Sequence, residues 1–279
     1  MTNRRFKVLP PRGRVLVQTD VHGNLADFHR MRQLFFELTH EDPHTHWVIL
    51  GDVIHGPDAD SRRRFPKLWN YPDRSFRIVR QLHRLLVEHP DRIHFVLGNH
   101  EHSHVGGPTT SKFYPDEAAR LRSTLTDEQH RFLVTFIRNA LLAVATPCGV
   151  VLTHGAPGID VDGPREIDEL VLDESRATPR QRTLLKHLLR TYGQPREPAQ
   201  RFLNSLNTAL DHPQRVVLHG HDAAREGYFT EGTNQLCPCI FGAPDHQKRY
   251  TLLDLQDRYD TAEQLLQKGA VRHLYPEGT

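Results

Sequence analysis

Five short apolar runs in this chain each stop at residues that can bind a metal ion, and that repetition limits the fold more than any other feature. The run at 14–19 ends at Asp20-Val21-His22-Gly23, and the run at 47–50 ends at Gly51-Asp52. A third, at 93–97, ends at Gly98-Asn99-His100-Glu101; a fourth, at 150–153, at His154-Gly155; a fifth, at 215–218, at His219-Gly220-His221. Runs this short, rich in Val, Ile and Leu and closed by Gly-bearing turns, read as buried strands. Ligand sites in α/β sheets gather outside the carboxyl ends of strands. A fold that sets these five ends side by side gathers carboxylates and imidazoles that are far apart in sequence.

The intervening segments supply the helices. Apolar residues recur at helical spacing over 25–38 and 76–87, and further helical patterns cover 116–125 and 127–140. Thr126 with Gln129 three residues on forms a capping-box signal. Residues 141–145 and 150–153 look like two strands joined across Thr146-Pro147-Cys148-Gly149. The stretch 164–210 is charged and largely helical, broken near Gly193-Gln194-Pro195. Further strands run through Ile240 and Tyr250 to Leu255, and a short helix is expected at 261–268. No linker or internal repeat divides the chain. The expectation is one α/β domain over 1–279, a mixed two-sheet sandwich flanked by helices, with a helical insertion at about 164–210.

Composition narrows the partners. Lys and Arg total 36 against 34 Asp and Glu, a formal charge of +2, so neither general nucleic-acid binding nor membrane binding is expected. Cys148, Cys237 and Cys239 are too few for a disulfide framework. On an extended chain Cys237 and Cys239 face one side. No segment approaches the ~18 apolar residues of a membrane span, and 1–14 lacks an apolar leader core, so a cytoplasmic location is expected. Histidine occurs 20 times. Those on helical patterns, such as His29, His83 and His130, read as surface residues, which leaves the strand ends as the informative positions.

The donor types at those ends fit one chemistry. Asp20 and His22, two residues apart, point the same way in extended chain. A carboxylate such as Asp52 can bridge two cations, and Asn99 adds a neutral oxygen. The absence of thiolates disfavours a structural zinc site. Nitrogen and oxygen donors suit Mn, Fe or Zn. Two such ions, roughly 3.5–4 Å apart, would clamp the attacking and leaving oxygens of a phosphoryl transfer. Any one ending alone reads as an ordinary cap, turn or scaffold histidine; the series of five does not.

These endings resemble the calcineurin-like metallophosphoesterase superfamily, whose pattern is D-x-H, GD, GNH[ED], H and GH. They are most similar to the PPP-type serine/threonine protein phosphatases. The resemblance runs from about residue 14 to 255, and includes Thr153-His154-Gly155, Gly227-Tyr228 and Phe241-Gly242-Ala243-Pro244. It implies that two divalent metal ions are held by Asp20, His22, Asp52, Asn99, His154 and His221, with Asp52 between them. It further implies that His100 protonates the leaving oxygen, and that a metal-bound hydroxide attacks a phosphomonoester. His219, outside the Gly-His register, is expected to support the ligands rather than join them.

The chain departs from the PPP pattern at one place. Where those enzymes carry GDxxDRG, this chain has Gly51-Asp52-Val53-Ile54-His55-Gly56-Pro57, and where they often carry Arg before GNHE it has Leu97. The phosphate-gripping arginine is therefore missing from its usual position. His55 or the run Arg62, Arg63 and Arg64 is expected to take up substrate binding, with Arg196 and Arg201 as further candidates. Glu101 or Asp222 is expected to hold the His100 ring. The reading is a metal-dependent phosphatase acting on a phosphorylated protein or small molecule. A dinucleoside polyphosphate hydrolase or phosphodiesterase is the alternative, and a non-catalytic scaffold the remaining one.

Overall fold

The computed structural model describes residues 4–275. One sheet has the strand order β11 (Val271–His273), β10 (Arg249–Asp254), β2 (Arg14–Gln18), β3 (His46–Ile49) and β4 (Ile93–Phe95). The other has the order β1 (Phe6–Val8), β5 (Ala143–Ala145), β6 (Val150–Thr153), β7 (Val216–His219), β9 (Gln235–Pro238) and β8 (Tyr228–Glu231). Both mix parallel and antiparallel pairs: β2, β3 and β4 run parallel, and β10 pairs antiparallel with β2. The fold is α/β, a two-sheet sandwich flanked by helices.

Strand alternation builds the two cores. Val15 and Val17 on β2 join Val48, Val150, Leu152, Val216 and Leu218 in an apolar layer between the sheets. Leu16, Trp47 and Ile49 face the opposite way and pack with helix residues including Phe28, Met31, Phe35 and Leu82. Successive strand side chains point to opposite faces, so strands buried on both sides read as continuous apolar runs.

Helix α1 (Leu25–Glu41) begins directly after the first polar ending. Asn24 caps it, its Oδ1 accepting from the N–H groups of Ala26 at 3.1 Å and Asp27 at 3.3 Å. Phe28, Met31, Leu34, Phe35 and Leu38 form its buried stripe. Helix α4 (Ser75–Glu88) buries Ile78, Val79, Leu82 and Leu85 in the same manner. Helix α7 (Asp127–Arg138) starts at the expected Thr126–Gln129 capping box. The charged stretch after β6 contains α8 (Gly163–Asp168), α9 (Pro179–Arg190) and α10 (Arg196–Leu206). Leu184, Leu185, Leu188 and Leu189 turn the apolar face of α9 into the core. A short α11 (Ala262–Gln267) precedes β11.

Two details differ from the sequence reading. β1 pairs in parallel with β5, although three residues are too few to show a period. Ile240 lies beyond β9 in irregular chain, because the backbone there leaves the sheet to return at Arg249.

A buried ion pair ties α1 to the end of the chain. Asp27 accepts from Lys248 Nζ at 2.7 and 2.9 Å, from the Tyr275 hydroxyl at 2.7 Å and from the Asn24 amide at 2.7 Å. Removing the cation alone leaves a buried carboxylate short of its partner. Lys248→Met is therefore expected to destabilise the fold by about 3–5 kcal/mol, read as a lower denaturant midpoint. Adding Asp27→Asn should recover much of that loss. A single-variant cost below about 1 kcal/mol would show that the pair contributes little.

Candidate metal centre

The five strand ends meet at one edge of the sandwich. His22 Nε2 lies 3.8 Å from Asp20 Oδ2 and 3.7 Å from Asp52 Oδ2. His154 Nε2 lies 3.4 Å from the same Asp52 oxygen and 3.0 Å from Asn99 Oδ1. His221 Nδ1 lies 2.9 Å from Asn99 Oδ1. Asp52 thus stands between a His22 side and a His154–His221 side. The His22 contacts are too long for hydrogen bonds and suit donors arranged around a cation, while His154 and His221 lie at hydrogen-bond distance from Asn99 Oδ1. Asp52 with His154 and His221 forms one group able to hold a metal ion, and His22 with Asp52 and His100 forms another.

Main-chain carbonyls set the imidazole orientations. His22 Nδ1 faces the Ile54 carbonyl at 3.2 Å and donates to it, which leaves the Nε2 lone pair aimed into the cluster. His154 Nδ1 faces the Leu50 carbonyl in the same way. His22 Nε2 and Asp20 Oδ2 are both fully buried and have no hydrogen-bond partner. Orphaned donor atoms of this kind, aimed inward beside a carboxylate, fit a bound cation.

The backbone is bent to present these groups. The non-glycine residues with left-handed φ among the described residues are His22 (42°), Asp52 (48°), His55 (65°) and His221 (68°), all at this edge. Such values are uncommon outside glycine and carry a cost of about 1–3 kcal/mol each. Glu101 holds the turn at Asp52: its carboxylate accepts N–H bonds from Asp52 at 2.8 Å, Val53 at 2.8 Å, Ile54 at 3.3 Å and Gly98 at 3.2 Å. A Cβ on Gly98 would collide with Asp52 and with Glu101 Oε2, and one on Gly220 would come within 2.6 Å of Asp20 Oδ1.

The carboxylate beside His100 comes from an unexpected place. Glu101 spends both oxygens on backbone N–H groups, and Asp222 accepts from the Gly193 N–H at 3.0 Å. His100 Nδ1 instead lies 3.3 Å from Glu117 Oε2 and 3.0 Å from His55 Nδ1. Glu117 opens helix α6 (Glu117–Arg122) and is buried. His55 in turn meets His104 at 2.9 Å. His100 Nε2 points the other way, 3.9 Å from Asp52 Oδ2. His55, His100 and Glu117 also lie close enough together to hold an ion. Glu117 was invisible to sequence reading because its segment shows only a short amphipathic helix.

Other candidates lie elsewhere. Arg62, Arg63 and Arg64 sit on α2 (Ala59–Arg64), whose residues are not buried. Arg63 and Arg64 pair with Asp60, and Arg64 lies over the Phe65 ring. Arg196 opens α10 and its carbonyl accepts from Asn234, which places it by the turn before β9. His219 is fully buried; its Nδ1 faces the Gly220 carbonyl at 2.9 Å and its Nε2 has no partner. Aromatic rings line the edge instead. Phe241 lies 4.3 Å from His22 and stacks on Trp69 at 5.7 Å, and the exposed Tyr192 ring lies 4.8 Å from His221.

Burial and crowding shift the protonation of the cluster. Burial, with Asp52 adding to it, raises the Asp20 carboxyl to about 7. Burial would lower His154, but the Asp52 charge and hydrogen bond, with Asp20 and the Leu50 carbonyl, outweigh it and raise the ring to about 9. Burial lowers His22 to about 3, so it stays a neutral donor. An entering cation must displace the protons on Asp20 and His154. Mn²⁺ affinity is therefore expected to rise from about pH 6 to about pH 9, with proton release on binding. Calorimetry in two buffers of different ionisation enthalpy measures that release; an affinity flat over this range would contradict it.

The chain matches the calcineurin-like phosphoesterase family over residues 13–253. No curated protein matches it significantly in sequence. Among solved structures it is similar to a protein serine/threonine phosphatase from Saccharomyces cerevisiae, with TM-score 0.58, 16% identity, and coverage of 87% of this chain and 72% of that one. It is also similar to a cold-active protein-tyrosine phosphatase of the psychrophile Shewanella sp., with TM-score 0.51, 14% identity, and coverage of 90% and 78%. At such identities the likeness is one of fold. Five strand ends gathered around Asp52, on a chain matched by the family over nearly its whole length, place this protein in the calcineurin-like phosphoesterase family.

Proposed function

We propose that the protein is a dinuclear-metal phosphatase that hydrolyses phosphomonoesters. The observation that carries this reading is the pair of orphaned buried donors, His22 Nε2 and Asp20 Oδ2, 3.8 Å apart, with Asp52 Oδ2 3.7 Å from His22 Nε2 and 3.4 Å from His154 Nε2. In this reading Asp20, His22 and Asp52 hold one ion, and Asp52, Asn99, His154 and His221 hold the second. When bound, the ions supply Lewis acidity to the phosphoryl oxygens and a water acidic enough to attack near neutral pH.

His100 serves as the proton donor to the leaving oxygen. Burial holds its ring well below the usual range and raises the Glu117 carboxyl. Glu117 Oε2 and His55 Nδ1 both face His100 Nδ1, and the carboxylate is placed to accept an Nδ1–H and hold the ring. In the imidazolium form the second ring proton is on Nε2, which faces the cluster. When Nε2 gives that proton to the leaving oxygen, the ring returns to its neutral form with Nδ1–H still directed at Glu117. A positioned acid of this kind typically contributes about 10²–10⁴-fold.

Turnover after Mn²⁺ reconstitution on p-nitrophenyl phosphate, bis-p-nitrophenyl phosphate, diadenosine tetraphosphate and a phosphopeptide tests the substrate class. Preference for the diester or the dinucleotide would replace the monoester reading. Asp52→Asn is expected to lose metal and abolish turnover; full occupancy with a near-normal rate would remove it from the bridging role. His100→Asn is expected to keep both ions and lose roughly 10²-fold or more in kcat on an alkyl phosphate. The loss should be smaller on p-nitrophenyl phosphate, whose leaving group needs little protonation. Loss of an ion would make His100 a ligand instead.

A further inference from the structure

A phosphoryl dianion at this centre would gain from a cation besides the metal ions; Gly56 carries none, and the arginines of α2 lie on a helix with no buried residue, two of them paired with Asp60. Lys112 stands at the right place. Its Nζ lies 4.3 Å from the centre of the Phe241 ring, and Phe241 in turn lies 4.3 Å from His22. The ammonium is exposed and makes no ion pair or hydrogen bond among the described residues. A face-on contact with an aromatic ring orients a lysine without neutralising it.

The loop carrying Lys112 is pinned on both sides. Thr110 Oγ1 lies 3.4 Å from His55 Nδ1 and is buried. The Phe113 N–H donates to Glu117 Oε1 at 3.0 Å, and the Phe113 ring packs edge-on to Trp69 at 5.5 Å. Lys112 therefore projects from two anchored neighbours rather than from a free strap. The arginines Arg74, Arg77 and Arg120 line a cavity of about 340 Å³ whose wall includes His55 and Glu117.

We propose that Lys112 grips the non-bridging oxygens of the substrate's phosphoryl group, as the cation that binds phosphate at this centre. A lysine is a compact point charge with three rotatable donors, suited to a tetrahedral anion even without the planar fork of arginine. The proposal rests on the phosphoesterase reading of the same centre, and the tests separate the two. Calorimetry measures binding of inorganic phosphate to the metal-loaded protein, with no turnover required. Lys112→Met is expected to weaken phosphate by about 10- to 100-fold, the scale of one lost hydrogen bond between charged groups. Metal content should be unchanged, and Lys112→Arg should restore much of the affinity. In kinetics, KM for p-nitrophenyl phosphate should rise more in Lys112→Met than KM for the singly charged bis-p-nitrophenyl phosphate. Phosphate bound within twofold of the unaltered protein, or not bound by that protein at all, overturns the assignment. So does a larger loss in the Arg62, Arg63 and Arg64 triple alanine variant than in Lys112→Met. If phosphate binding depends on Lys112 while no ester is turned over, the assignment stands and the catalytic reading fails.

Discussion

Four backbone N–H groups converge on the buried carboxylate of Glu101, and the geometry of the centre depends on that convergence. Gly98 and Asp52 donate to one oxygen, Val53 and Ile54 to the other. The bonds join the end of β4 to the end of β3 and hold Asp52 in its left-handed conformation. The Asp52 carbonyl then accepts from the N–H groups of Val21 and His22 at 3.1 and 2.9 Å, so the end of β2 hangs from the same turn. One side chain thus sets the relative positions of Asp20, His22 and Asp52. Burying those N–H groups unpaired would cost about 1–3 kcal/mol each. Glu101 is itself fully buried, and burial with the neighbouring Asp52 raises it to about 7, while the N–H bonds oppose the rise.

The sandwich also fixes which face each imidazole shows. The carbonyls of Leu50 and Ile54 belong to the chain leaving β3, and each receives an Nδ1–H. His154 comes from the other sheet, so its bond to Leu50 crosses from one sheet to the other. Nε2 is left as the inward atom of both rings. Tautomer, ligand atom and sheet packing are therefore a single arrangement here. Displacing Leu50 would turn His154 as well as disturb the apolar layer it fills.

Much of this was legible in the sequence because it repeats. Strand, polar ending and helix recur, and each ending carries donors of matching chemistry, so Asp20, His22, Asp52, Asn99, His154 and His221 could be picked out without coordinates. The α1 and α4 stripes were equally plain, since helical spacing persists from Phe28 to Leu38 and from Ile78 to Leu85, and α7 was marked by its Thr126–Gln129 capping box. What could not be read was contact between groups with no shared pattern. Glu117 reaches His100 from a six-residue helix, and Glu101 turned out to serve the backbone rather than the His100 ring. The arginine run drew attention by its charge, yet three consecutive arginines on a short helix with no buried residue point to solvent. A lone lysine between Ser111 and Phe113 carries no periodic signal at all.

That contrast follows from how the site is built. The groups that could hold metal ions come from strand ends, where the pleat and the N–H network leave little freedom. Groups around them come mostly from connections, Lys112 and Phe113 before α6, Tyr192 after α9 and Phe241 after β9, with Trp69 closing a short helix at Pro66–Trp69. Connections tolerate changes in length and sequence that strands do not. The proposed metal ligands and the groups around them are thus carried by separate parts of the chain. The pinning of the Lys112 loop to His55 and Glu117 is where the two parts touch, because the same residues that hold the His100 ring also hold the loop that presents the cation.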